Sequence, residues 1–151
     1  MHLLTVATVS YLYQVEVLIN SARKFHPELS PVILIADSTK DGLGEIQKVF
    51  GDSVDLLCCD DLGYDFLDKI REYYSPLEFC SALKVLGSAY ILRSEDSCLF
   101  LDPDMVVMDS LSDSILNQHG EVVISCHTFS PYPDDGKYPN NIEMISAGFI
   151  N

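Results

Sequence analysis

The apolar positions fall into short, nearly continuous runs: LLTVATV at 3–9, VILIA at 32–36, VDLLCC at 54–59, CLFL at 98–101 and VVISC at 122–126. A strand with one wet face alternates apolar and polar residues, whereas a strand covered on both faces does not. These five runs therefore predict a mostly parallel sheet with helices on both sides. A sixth piece, ISAGFIN at 145–151, reads as the start of another strand.

Between the runs the period changes from two to about 3.6. Val15, Leu18, Ile19, Ala22 and Phe25 predict a helix over 14–25 that Pro27 stops. Shorter helices are expected at 44–50, after Asp41-Gly42, and at 65–73. The clearest helix covers 76–92, with Ser75 as N-cap, Pro76 at its first position and Glu78 three residues after the serine. That is a capping box with proline where a missing N–H costs nothing. Cys80, Leu83, Leu86, Gly87 and Tyr90 form its expected apolar stripe. The sequence LSDSILN, after Ser110, reads as one more short helix.

Alternating strands and helices predict an α/β fold of three layers, Rossmann-like. The length of 151 residues, 48% hydrophobic and 21% charged, fits one folded domain spanning 1–151. Because it ends on an apolar strand, the chain is expected to be shorter than its architectural relatives. Residues 128–141 (TFSPYPDDGKYPNN) read as a surface loop, and His127, Asp134 and Asp135 as solvated loop residues.

Charge narrows the partners. Twenty-three acids against nine bases give a net charge of −14, which argues against nucleic acid. An acidic chain that handles phosphates needs a metal ion or a few well-placed cations. The five cysteines form no C-x-x-C pair and no zinc-ligand spacing, so buried thiols in a reducing compartment are expected. The opening MHLLTVATVSYLYQ has no basic leader and is not read as a signal peptide. No run approaches the ~20 apolar residues of a membrane span. The cytoplasm is the expected location.

The candidate chemistry sits in CLFLDPDMVVMD, 98–109. Asp102 and Asp104 follow a buried strand directly, and an apolar run, Met105 to Met108, resumes after them. In open α/β sheets ligands bind at the carboxyl ends of strands. Two carboxylates one residue apart are hard oxygen ligands suited to Mn²⁺ or Mg²⁺. Pro103 donates no hydrogen bond and marks the end of ladder pairing. A lone D-x-D is also an ordinary polar turn; the buried strand before it and the apolar run after it favour a site.

FLDPDMVVMDSL resembles the D-x-D segment of nucleotide-sugar-dependent glycosyltransferases of the GT-A fold. PLEFCSALKVLGSAYIL is similar to the helix preceding that segment, SAGFIN to the strand following it, and TVATVSYLYQVEVLINSARKFHPELSPVILIADS to the first β-α-β unit. The resemblance covers essentially the whole chain in order. It implies a donor-binding portion that takes a nucleoside diphosphate sugar, a UDP-sugar as the first guess, for transfer to an unknown acceptor. Ala7, Thr8 and Tyr11 would line the nucleobase, and Asp37 the base or ribose. Lys84 would face the diphosphate or sugar. Asp102 and Asp104 would hold the divalent ion, with Asp102 also near the ribose or sugar, and Gly148 would leave room for the donor sugar.

Each residue has a plainer role beside that one. Thr8 and Tyr11 could be strand-end residues, Asp37 a turn cap, Lys84 a solvated surface cation, and Gly148 a packing glycine. No catalytic base is identified. Two other readings stay open. One is a haloacid-dehalogenase-like phosphatase or phosphotransferase, in which D-x-D supplies a nucleophile and an acid/base. The other is a non-catalytic α/β interaction domain that pairs, in a homo-oligomer, through the apolar edge of its last strand.

Overall fold

A computed structural model of the protein describes residues 1–112, 116, 125–126 and 145–146. Strand β1 (His2–Ala7) leads through a 3-10 turn, Val9–Tyr11, into helix α1 (Leu12–Phe25). β2 (Ser30–Ile35), α2 (Lys40–Phe50) and β3 (Asp55–Cys58) follow. Three helices then come in succession, α3 (Cys59–Leu62), α4 (Leu67–Tyr73) and α5 (Pro76–Ile91), before β4 (Cys98–Phe100). The four strands are all parallel, in the order β3-β2-β1-β4. Two short strands, β5 (Ser125–Cys126) and β6 (Ile145–Ser146), pair antiparallel with each other.

The continuous apolar runs have the cause the sequence implied: successive side chains alternate between two covered faces. Leu4 and Val6 of β1, Val32 and Leu34 of β2, and Cys98 and Phe100 of β4 pack with Leu62, Leu67, Phe79, Leu83 and Ile91 of α3, α4 and α5. Their neighbours point the other way. Ala7, Ile33 and Ile35 meet Val15 and Ile19 of α1 and Ile46 of α2. Leu3 and Leu99 meet Leu18 and Ala22 of α1. The fold is therefore a three-layer, Rossmann-like α/β arrangement.

α1 starts two residues before the expected 14–25, and its end is closed by the His26 N–H donating to Ala22 O at 2.7 Å. α2 begins at Lys40 and carries Gly42 and Gly44 inside it, because burial of Ile46 on the sheet outweighs the poor helix propensity of two glycines. α3 follows β3 with no intervening loop, so no breaker residue announces it. The Cys58 N–H donates to the Asp61 carboxylate at 2.9 Å and fixes that start.

α5 has the expected capping box: the Glu78 N–H donates to Ser75 Oγ at 3.3 Å and the Ser75 N–H to Glu78 Oε2 at 2.8 Å. Its buried line is Phe79, Leu83, Gly87, Ser88 and Ile91, with Cys80, Leu86 and Tyr90 only partly buried. All five expected positions are thus buried or packed on the core, and the buried face is wider than expected, with Cys80 at its half-buried margin. Gly87 sets how close α5 lies to the sheet. A Cβ there would stand 2.9 Å from Leu34 Cδ2 and 3.2 Å from Leu4 Cδ2.

The described residues of β6 pair with β5 along one side. Of the expected helix after Ser110 only Leu111, Ser112 and Leu116 are among the described residues; the loop 128–141 with Asp134 and Asp135, His127 and Gly148 lie outside them. Cys58, Cys59 and Cys98 are buried free thiols, and Cys80 is half-buried. Among the described residues no helix is long and apolar enough to cross a membrane.

Candidate functional site

The strand order creates the site. From β1 the chain turns toward β2 with α1 on one face; it returns to β4, on the far side of β1, from α5 on the other face. The strand order reverses between β1 and β4, and a crevice opens at their carboxyl ends where no connection crosses. A cleft of about 650 Å³ lies there. Its walls are the β1 exit (Ala7, Thr8, Tyr11), Asp37 after β2, one face of α5 and the segment Asp102–Asp104.

The D-x-D segment is a tight turn. The Leu101 N–H donates to Leu4 O at 3.1 Å, the last bond to the sheet. The Met105 N–H then donates to Asp102 O at 3.0 Å, closing a four-residue turn with Pro103 at its second position. Proline presets the φ that this position needs. The apolar run that follows is laid back on α1. The Val107 N–H donates to Ser21 Oγ at 2.9 Å, the Val107 side chain joins the Leu18 and Leu101 cluster, and the Leu111 N–H donates to His26 Nε2 at 2.7 Å. His26 is buried, with Nδ1 2.9 Å from Glu28 Oε1. Both ends of the turn are therefore pinned, one by the sheet and one by α1.

Asp102 is not solitary. Lys84 Nζ, on α5, donates to Asp102 Oδ1 at 2.5 Å, and each side chain retains about a quarter of its exposure, 24% and 23%. The ammonium also stands 5.2 Å from the centre of the Phe100 ring. Asp104 lines the same cleft and is exposed. Asp37 accepts from the Val9 N–H at 2.8 Å and so holds the 3-10 turn that carries Thr8 and Tyr11. Thr8 Oγ1 lies 2.8 Å from Ser10 Oγ, and Tyr11 is half exposed.

Ala7, Thr8, Tyr11, Asp37, Lys84, Asp102 and Asp104, scattered over nearly a hundred positions, thus share one cleft; Gly148 lies outside the described residues. Asp37 bonds a turn 28 residues away rather than capping its own, and Lys84 reaches Asp102 rather than open solvent.

The sequence reading missed Leu77, Cys80 and Ser81, which line the cleft with Lys84. The signal was present: 77, 80, 81 and 84 repeat at helical spacing and so share a face. Burial pushes the Cys80 thiol above its ordinary value, and the Asp37 charge adds to the shift. Cys80 and exposed Leu77 add apolar surface to the α5 wall that also carries Ser81 and Lys84. Among the described lining residues three carboxylates (Asp37, Asp102, Asp104) face one cation, Lys84. No group of three or more acidic, histidine or cysteine side chains suited to a metal occurs among the described residues.

No protein-family model matches the chain, and no curated protein does. Solved structures do. The apo-form glycosyltransferase GlyE of Streptococcus pneumoniae TIGR4 superposes with a TM-score of 0.51 at 18% identity, covering 99% of this chain and 33% of that one. A second GlyE structure gives 0.52 at 20% identity with the same coverages. The chain therefore spans about a third of the length of these proteins. At such identity the likeness establishes the fold: this chain has the α/β fold of a glycosyltransferase.

Proposed function

We propose that the chain is the donor-binding portion of a metal-dependent glycosyltransferase, which takes a nucleoside diphosphate sugar and passes the glycosyl group to an acceptor. The observation that carries this reading is the meeting of Lys84, Asp102 and Asp104 at the β1/β4 switch point of a fold shared with a glycosyltransferase. Fold alone does not give function; the site's chemistry must fit as well.

The residues suit a nucleotide. Tyr11 offers an aromatic face and Leu77 with Cys80 an apolar wall for a base, and Asp37 sits at the carboxyl end of β2, within reach of a ribose hydroxyl. The diphosphate belongs beside Lys84. Three carboxylates against one ammonium repel an anion, so the cleft takes a diphosphate only with added positive charge.

The donor set fits Mn²⁺ or Mg²⁺. Such ions ordinarily take one or two protein carboxylates and fill the remaining positions with water and substrate phosphate. Asp102, with one oxygen engaged by Lys84, and exposed Asp104 supply that number. When bound, the ion neutralises charge that develops on the departing diphosphate. Lys84 adds a hydrogen-bonding cation to the same group, and the turn pinned to sheet and α1 keeps both acids placed without reorganisation.

The haloacid-dehalogenase-like reading is not favoured. Its D-x-D motif opens the domain, whereas here it follows the fourth strand, and the fold likeness is to a glycosyltransferase.

Calorimetric titration with UDP and GDP, each with and without MnCl₂, tests the proposal. Binding that requires the metal is expected, and the double variant Asp102→Asn/Asp104→Asn should abolish it. Failure of every nucleotide to bind, or metal-dependent binding that survives the double substitution, refutes it. Failure to bind, together with concentration-dependent dimers, would favour the interaction-domain reading.

A further inference from the structure

The Lys84–Asp102 contact places the cleft's only described cation on the very carboxylate that a metal ion needs. We infer that Lys84 couples the two ligands: it holds Asp102 against metal until a diphosphate draws its ammonium away, so that metal and nucleotide bind together and neither binds well alone. The inference rests on the donor-binding reading above and assigns the regulation of that same site.

Three observations carry it. The ammonium donates to Asp102 Oδ1 at 2.5 Å, which neutralises the carboxylate and occupies one of its oxygens. Each partner is about three-quarters buried, so water screens the pair less than it would an exposed one. The other acid of the motif, Asp104, is exposed and has no such partner among the described residues. A dication approaching the turn thus meets one available carboxylate, one neutralised carboxylate and a nearby positive charge.

A diphosphate changes that balance. Lys84 leaves from the α5 wall of the cleft, and its stem can carry the ammonium from Asp102 to a phosphate oxygen without moving the helix. Phosphate would then bond Lys84 and release the Asp102 oxygen that the ammonium holds. Asp102 and Asp104 would then hold the ion, which would supply positive charge beside the phosphate. Because coupling is reciprocal, metal must tighten nucleotide by the same factor by which nucleotide tightens metal.

The test follows Mn²⁺ by electron paramagnetic resonance, which reads free metal directly, with the 151-residue chain alone and with saturating UDP. Lys84→Met removes the cation and keeps the apolar stem; Lys84→Arg keeps a cation. A unit charge about 5 Å from a dication, even at the dielectric of water, is worth at least about tenfold in affinity. The Met variant should therefore bind Mn²⁺ alone about tenfold or more tighter than wild type, and the UDP enhancement of Mn²⁺ affinity should shrink. The Arg variant should retain weak metal-alone binding. Should the Met variant not fold, Lys84→Gln is read in the same way.

Unchanged or weaker Mn²⁺ binding in the variant lacking the cation overturns the inference, as does wild type binding Mn²⁺ equally well with and without UDP. The two proposals fail separately. Absence of both UDP and GDP binding under all conditions sinks the donor-binding reading. Nucleotide binding with Mn²⁺ affinity indifferent to residue 84 sinks only the coupling.

Discussion

Gly87→Ala isolates the packing of α5 on the sheet. In an exposed helix the change stabilises, since alanine exceeds glycine by about 1 kcal/mol in helix propensity. Here the new methyl would lie 2.9 Å from Leu34 Cδ2 and 3.2 Å from Leu4 Cδ2. Carbon atoms rest at about 3.5–4.0 Å, so something must yield by roughly 0.6 Å or more. Both leucines are fully buried at 0% exposure in a packed core, and a leucine cannot rotate away without meeting another neighbour. Overpacking of this kind costs about 1–3 kcal/mol. The difference is a net loss of about 1 kcal/mol, or about 2–4 °C in Tm for a chain of this size. Urea unfolding followed by far-ultraviolet circular dichroism measures it. Leu34→Val in the Gly87→Ala background should be less damaging than the two single changes summed, because it makes room for the methyl. A Gly87→Ala protein about 1 kcal/mol more stable than wild type would show that α5 adjusts without cost, and would refute the close-approach argument.

Three further outcomes are expected. Burial raises the Cys98 thiol from its ordinary value near 9 to about 11. Below 9 both states keep the proton; between 9 and 11 the unfolded chain releases it first, so stability should fall across that window by up to about 3 kcal/mol. Cys98→Ala should remove that part of the alkaline loss, and an unchanged profile in pH-dependent unfolding would contradict it. Ser75→Ala should cost about 1 kcal/mol in chemical unfolding, the usual worth of an N-cap. The Ser75 hydroxyl and then the Ser75 backbone N–H hold Glu78 below its usual range, so the box persists above that range and is lost as pH falls through the lowered value. Ser75→Ala should flatten the acid limb of the stability curve. His26→Leu strips the Leu111 N–H of its acceptor at Nε2 and should cost about 2 kcal/mol, read by thermal unfolding; an equal loss in His26→Gln, whose Oε1 can stand near the Nε2 position and accept, would assign the cost to packing rather than to the hydrogen bond.

The order of elements was legible because it depends on local signals. Apolar runs without alternation report strands covered on both faces, and Ser75-Pro76-x-Glu78 marks a helix start through bonds made within four residues. The same kind of signal drew attention to Asp102-Pro103-Asp104, since a proline and two acids interrupt an apolar run regardless of what surrounds them. Sequence periodicity marked the apolar stripe of α5 but not its full width: Phe79, Ser88 and Ile91 are buried beside it, because residue type alone does not reveal how deep each position of a half-apolar helix lies.

What the tertiary structure decided is which distant residues meet. Ala7, Asp37, Lys84 and Asp102 converge because the strand order β3-β2-β1-β4 puts β4 beside β1, a pairing between segments some ninety residues apart. Nothing local to Lys84 directs it to Asp102; that contact depends on how closely α5 lies on the sheet, and Gly87 sets the distance. Local hydrogen bonds and burial of one face are written in neighbouring residues. Contacts across the sheet depend on where whole layers come to rest, and only the assembled fold fixes that.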